Sequence, residues 1–192
     1  MYTVLIRQGN KYGREYSEKL AKSLLRINHT PLILGDGMEA NIPSKYHFNG
    51  WWTKLELFSP EMEKYRPLIY LDIDSLVIRP FIIEVPTRFT VCREWMPGMK
   101  GIQTSMMLLP KDTSEIWQTI QTSVINFDHG EGDQYFLKQF THDYIQDKYP
   151  NLISSYKVHS RQQPQSDIVT FHGKPKPADP KSGWAYELWK TI

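Results

Sequence analysis

Apolar residues in this chain follow two rhythms, short continuous runs and recurrences at every third or fourth position. Residues 2–7 form a run that predicts a strand, and Tyr16, Leu20, Leu24 and Ile27 then recur at helical spacing, predicting a helix over residues 13–26. Residues 31–34 predict a second short strand, ended by the turn Gly35-Asp36-Gly37, and the weakly periodic stretch from there to Phe48 predicts a loop. Residues 50–58 predict a helix with Trp51, Leu55 and Phe58 on its core face, stopped by Pro60. Leu68 to Leu71 is a four-residue apolar run, as expected of a strand covered on both faces. Leu76 to Ile78 predicts another extended piece. Further strands are predicted at 89–93 and 104–109, with a flexible loop at 94–101 between them and a helix over most of 113–127. The turn 128–132 leads into a helix at 133–140, with Asp133 placed as its N-cap. A polar loop at 160–167 precedes a last strand at 168–171, which delivers the rigid basic segment His172-Gly173-Lys174-Pro175-Lys176-Pro177. Strands alternating with helices predict an α/β fold.

Two places in this pattern carry candidate chemistry. The central apolar run ends in Asp72-Ile73-Asp74-Ser75. On an extended backbone Asp72 and Asp74 project to one side while Ile73 turns into the core. Two like charges this close, at the carboxyl edge of an open α/β sheet where ligands bind, call for a cation. The glycine-containing turn Gln8-Gly9-Asn10-Lys11-Tyr12-Gly13 leaves the first strand where a nucleotide commonly sits, although its spacing is not a dinucleotide fingerprint.

Composition narrows the class. The 192 residues suit one domain, 40% of them hydrophobic and 23% charged, as in ordinary globular proteins. No run is long enough to cross a membrane, and the first residues lack the pattern of a signal peptide. The single cysteine, Cys92, excludes an internal disulfide and a cysteine metal cluster, which fits a reducing compartment and predicts a cytoplasmic protein. A net charge of +2 gives no argument for a nucleic-acid partner. Aromatic residues are in surplus, with 6 Trp and 11 Tyr, and sugar or nucleotide rings are one use for them.

Taken in order, Lys54-Leu55-Glu56-Leu57-Phe58, Leu71-Asp72-Ile73-Asp74-Ser75-Leu76-Val77-Ile78, Gln103-Thr104-Ser105-Met106-Met107, Gly132-Asp133-Gln134 and Phe171-His172-Gly173-Lys174-Pro175 resemble the motifs of GT-A glycosyltransferases. The nearest likeness is to glycosyltransferase family 8, the glycogenin and lipopolysaccharide-glucosyltransferase group. The resemblance implies a single GT-A domain over 1–192, Rossmann-like, with a mixed, mostly parallel central sheet flanked by helices. It implies Asp72, Asp74 and His172 as ligands of Mn2+, with Mg2+ as the alternative. Lys174, or Lys176 in its place, would contact the donor diphosphate, because the family's His-x-x-Gly-x-x-Lys is compressed here to His172-Gly173-Lys174. Gln8 and Tyr12 would hold the base, Lys54 the donor sugar, and Thr104 and Ser105 the sugar pocket, where the family often has Asn-Ser-Gly. Arg7, Tyr70, Ile73 and Gly173 complete the implied donor site, and Asp133 and Gln134 match the catalytic pair beside the anomeric carbon.

The implied reaction transfers a sugar from a nucleoside-diphosphate sugar, a UDP-sugar first among them, to a hydroxyl of a glycan, lipid or protein, with retention. Two rivals share parts of the pattern. A haloacid-dehalogenase-type phosphatase also places Asp-x-Asp after an apolar strand, but that strand is usually the first, and no Gly-Asp-x-x-x-Asp follows here. A non-catalytic module that binds sugar nucleotides would keep the fold without the transfer.

Overall fold

The computed structural model describes residues 1–159, 162 and 164–192. A seven-stranded sheet runs in the order β3-β2-β1-β4-β7-β6-β8. Its strands are β1 (Tyr2–Arg7), β2 (Thr30–Gly35), β3 (Ile42–Pro43), β4 (Leu68–Leu71), β6 (Thr90–Arg93), β7 (Ile102–Leu109) and β8 (Asp143–Tyr144). β1 pairs in parallel with β2 and β4, β2 with β3, and β6 with β8, while β7 runs antiparallel between β4 and β6. This is a mixed, mostly parallel α/β sheet, as the sequence predicts. A second sheet of three strands has the order β5-β10-β9, from β5 (Leu76–Val77), β9 (Ile153–Ser155) and β10 (Ile168–Thr170).

The central strands are buried on both sides, as their continuous apolar runs require. Val4, Leu68 and Tyr70 enter one core with Trp52, Leu55, Phe58 and Met62, whereas Leu5, Ile69 and Leu71 enter another with Leu20 and Leu24 of α1 (Arg14–Arg26). A third cluster joins Tyr16 of α1 to Ile73, Leu76, Val169 and Phe171. Trp189 of the C-terminal helix α6 (Trp184–Thr191) closes it, and Lys19 of α1 donates to the Trp189 carbonyl at 2.8 Å.

Several predicted boundaries move. Residues 50–58 form a tight 3-10 helix, not an α-helix, and a second such turn (Pro60–Tyr65) follows. Three residues per turn bring successive side chains round faster than an α-helix does. Trp52, Lys54, Leu55, Glu56 and Leu57 are therefore buried, while Trp51, expected in the core, is 52% exposed. The helix expected through residue 127 is α2 (Ser114–Thr122), and the one expected through residue 140 is α3 (Asp133–Leu137). Gly132, at φ 59°, holds the N-cap position of α3, so Asp133 is its first turn and is buried instead of capping. The stretch before Phe48 contains β3. Four elements between 143 and 159 carried too little pattern to predict: β8, α4 (Ile145–Lys148), β9 and α5 (Tyr156–His159). The loop expected at 160–167 lies partly outside the described residues.

Parallel pairing puts the carboxyl ends of β1, β2 and β4 along one edge. Close pairing there depends on Gly35, where a Cβ would lie 1.8 Å from the Arg7 carbonyl oxygen. Gly35→Ala is expected to push β2 from β1 and to lower stability by about 2 kcal/mol or more, read as a drop in the urea midpoint.

Candidate active site at the carboxyl edge of the central sheet

β4 ends at Leu71, and the chain turns at once, with the Ser75 N–H donating to the Asp72 carbonyl at 3.0 Å. Asp72 and Asp74 therefore meet through a turn, not through the alternation of an extended strand. Ile73 between them is buried in the third cluster, so its side chain faces the core. The Asp72 N–H donates to the Ser105 carbonyl at 2.8 Å, which brings the start of β7 beside the acidic pair.

Each carboxylate has its own cation. Lys54, buried on the 3-10 helix, stands 2.9 Å from Asp72 Oδ1 and donates to the Thr104 carbonyl at 3.2 Å and to Thr104 Oγ1 at 3.1 Å. The Tyr70 hydroxyl donates to the same Asp72 oxygen at 2.6 Å. Asp74 is 3% exposed, and its Oδ2 accepts from the Tyr12 hydroxyl at 2.6 Å and pairs with the Lys176 ammonium. Lys176 is held in turn by the Phe171 carbonyl at 3.0 Å.

These pairings set the proton affinities. Burial raises the Asp74 pKa, the neighbouring Asp72 raises it further, and Lys176 opposes both. Burial would depress Lys54, but the charges of Asp72 and Asp133 outweigh it and hold its pKa above the ordinary value. Tyr70 and Tyr12 are raised by burial and by the carboxylates they donate to, so both are hydroxyl donors at neutral pH.

Asp133 adjoins this cluster from α3. It is 2% exposed and its Oδ2 has no hydrogen-bond partner. Burial raises its pKa against the opposing pull of Lys54 and of a hydrogen bond from Thr104. A buried carboxylate oxygen left without a partner is costly for folding alone and suits a group that awaits charge on a ligand. Gln134 donates to Gln103 Oε1 at 3.1 Å, and Gln103 donates to Glu94 Oε2 at 2.7 Å, so its amide is oriented through the loop after β6.

Other expected residues stand differently. Among the described residues no group of three His, Cys, Asp or Glu is gathered to hold a metal ion, so Asp72, Asp74 and His172 are not brought to one point. His172 Nε2 lies 2.6 Å from the Ser155 hydroxyl. Burial lowers the His172 pKa, and Lys157 lowers it further, so the ring is neutral at pH 7. Gly173 has φ 70°, and Gly173 and Lys174 are exposed. Arg7 is paired with Glu39, and Gln8 is bonded to the Thr53 hydroxyl. Tyr70 and Thr104 are buried and bonded to Asp72 and Lys54 respectively. Ser105 is also buried. Sequence reasoning passed over Ser155 and gave Gln103 no role of its own within its motif, because their partners, His172 for the first and Gln134 and Glu94 for the second, are distant in the chain or set by side-chain orientation. It also passed over Thr53, for which adjacency to Lys54 was the available signal.

The resemblance implies a divalent cation at this cluster. Two hard oxygen donors, with Asp72 close enough to raise the proton affinity of Asp74 and each faced by an ammonium group, form a donor set that fits Mn2+ or Mg2+. His172 would join them only by leaving Ser155.

No family model matches the sequence, and no curated protein matches it. Solved structures do. A glycosyltransferase involved in glycosylating the major capsid of PBCV-1 aligns over 100% of both chains with a TM-score of 0.63 and 13% identity. The glycosyltransferase GlyE of Streptococcus pneumoniae TIGR4 aligns over 99% of this chain and 59% of its own, with a TM-score of 0.67 and 16% identity. The galactosyltransferase LgtC, solved with donor and acceptor sugar analogs, aligns over 100% of this chain and 94% of its own, with a TM-score of 0.61 and 12% identity. The fold is thus that of GT-A glycosyltransferases.

The raised pKa of Asp133 has a consequence for stability. The folded chain binds this proton more tightly than the unfolded one, so the stabilisation is present in acid and is lost as pH rises through the folded pKa. Asp133→Asn is expected to be more stable than the parent chain at about pH 7.5, with the gain shrinking at about pH 4.5. Urea unfolding at the two pH values measures it.

Proposed function

We propose that the protein is a glycosyltransferase that moves a sugar from a nucleoside-diphosphate sugar, with UDP-sugars as the first candidates, to a hydroxyl acceptor with retention of configuration. The observation that carries this reading is the counter-charged pair Asp72 and Asp74, at the carboxyl edge of a GT-A sheet beside the orphaned carboxylate of Asp133. The solved glycosyltransferases of the same fold support it.

Sugar transfer breaks the bond between the anomeric carbon and a phosphate oxygen, leaving positive character on the ring and negative charge on the diphosphate. Lys176, already among the carboxylates, and the exposed Lys174 two residues away supply positive charge for the departing diphosphate. A divalent cation of the Mn2+ type, bound by Asp72 and Asp74, would add Lewis-acid stabilisation of the same charge. Asp133 keeps an unshared oxygen for the positive sugar ring, and Gln134 keeps an oriented amide beside it. Gln8 and Tyr12, both leaving β1 at this edge, suit the nucleoside, with Thr53 fixing the Gln8 amide. The lone cysteine, Cys92, is buried and that burial raises its thiol pKa, which makes it a packing group and no nucleophile for the reaction.

A panel of nucleotide sugars, assayed for release of free nucleoside diphosphate with and without Mn2+, tests the proposal. Turnover of at least one donor is expected, with loss on chelation and recovery on adding Mn2+. Asp74→Asn is expected to cut the rate by about a hundredfold or more while circular dichroism stays unchanged. Release of phosphate from p-nitrophenyl phosphate, with no donor turned over, would replace the transferase with a phosphatase.

A further inference from the structure

Lys54 and Lys176 face the two acids in different ways. Lys54 is buried and held at three points, 2.9 Å from Asp72 Oδ1 and donating to the Thr104 carbonyl at 3.2 Å and to Thr104 Oγ1 at 3.1 Å. An ammonium group has three hydrogens to donate, so Lys54 has none to spare. Lys176 is less committed. Its side chain is 22% exposed, and its ammonium donates to Asp74 Oδ2 and, at 3.0 Å, to the Phe171 carbonyl five residues back in the same segment. The ring of Tyr12 lies 5.5 Å from it. The segment that carries it leaves the end of β10, turns through Gly173 at φ 70° and has Gly173 and Lys174 exposed. Asp74 has a donor besides the ammonium, the Tyr12 hydroxyl at 2.6 Å, and keeps it when Lys176 moves.

Charge decides what this asymmetry means for a divalent cation. Two carboxylates already face two ammonium groups one to one. A further ion of charge two, placed among them in a partly dry site, would meet like charges on both sides. For such an ion to bind both acids, one ammonium has to withdraw. Lys54 is fixed by its helix and by Thr104, whereas Lys176 has a long side chain open to water on one side. Once it leaves Asp74 it needs another anion, and a diphosphate beside the cation is one.

We propose that Lys176 stands in for the divalent cation, holding Asp74 until the cation takes its place and then passing to the diphosphate; the proposal rests on the transferase reading. Lys176 is thus a positioning residue that couples the two ligands. A cation arriving alone has to push the ammonium into water, and so binds weakly. With a diphosphate present the ammonium exchanges one anion for another, and the cation binds tightly. By linkage, the cation strengthens diphosphate binding by the same factor.

Equilibrium dialysis of Mn2+ against the whole protein tests this without any assay of activity, the excess on the protein side being bound ion. With no nucleotide present, Lys176→Met is expected to bind Mn2+ about tenfold or more tightly than the parent chain. Lys176→Gln, which keeps a donor for Asp74 without the charge, is expected to do the same and decides the matter if the methionine variant does not fold. Lys176→Arg keeps the charge and is expected to stay within about threefold of the parent. Lys174→Met removes an equal charge from the same segment but not from Asp74, and is expected to change the affinity by less than about threefold. Adding UDP or inorganic pyrophosphate is expected to tighten Mn2+ binding by a larger factor in the parent than in Lys176→Met, which has no ammonium to hand over. Mn2+ affinity unchanged or lowered in both uncharged variants, an equal gain in Lys174→Met or Lys176→Arg, or equal tightening by pyrophosphate with and without the Lys176 charge would each overturn the proposal. Tightening by pyrophosphate with no response to UDP would instead strike the nucleotide-sugar reading and leave the exchange standing.

Discussion

Two carboxylates, Asp72 and Asp74, are taken out of bulk water at the end of the central strand, and the fold is arranged to answer their charge. Bringing like charges together in a partly dry site is unfavourable unless cations come with them. Lys54 arrives from a 3-10 helix before β4, and Lys176 from the segment after β10, a hundred residues further on. Tyr70 and Tyr12 add hydroxyl donors to the two acids. The acids, the ammonium groups and the hydroxyls form one interlocked set, in which removing an acid or an ammonium group leaves its partner's charge uncompensated.

That set explains features of the architecture that packing alone would not require. The turn at Asp72 to Ser75 puts Ile73 into the apolar cluster beneath while both acids stay at the edge. The antiparallel strand β7 lies next to β4 so that Thr104 and Ser105 begin beside Asp72, with Thr104 taking two of the Lys54 bonds. The second sheet pairs β10 with β5, which immediately follows the acids, and so returns the chain from Phe171 to Lys176 against Asp74. Tyr12, whose hydroxyl reaches Asp74, stacks near Tyr16 at 5.0 Å, and Tyr16 meets Trp189 at 4.7 Å. The last helix thus buttresses a residue of the site through two rings.

The arrangement also stores cost. Asp133 is buried with one oxygen unshared, and Asp74 holds its proton more tightly than an exposed aspartate would. A chain selected only for stability would replace such groups with apolar ones. Their persistence is what sets this edge of the sheet apart from the rest of the surface.

Local sequence determined the elements whose signal is local. The apolar run at Leu68 to Leu71 is short and follows Pro67, as suits a strand covered on both faces, and the recurrence Tyr16, Leu20, Leu24 has the period of an amphipathic helix. The acids after that strand, and a basic segment after the last one, were legible for the same reason. Tertiary structure decided what depends on residues distant in the chain. The short β8 and β9 have too few side chains to show a period, and they exist because the sheets beside them supply partners. The burial of Asp133 follows from Gly132 taking the cap and Trp51 packing onto it. Which lysine meets which carboxylate, and that His172 rests on Ser155 rather than among the acids, follow from how the two sheets are set against each other. Charge pairing acts through space, and a linear pattern records only which charges are available to pair.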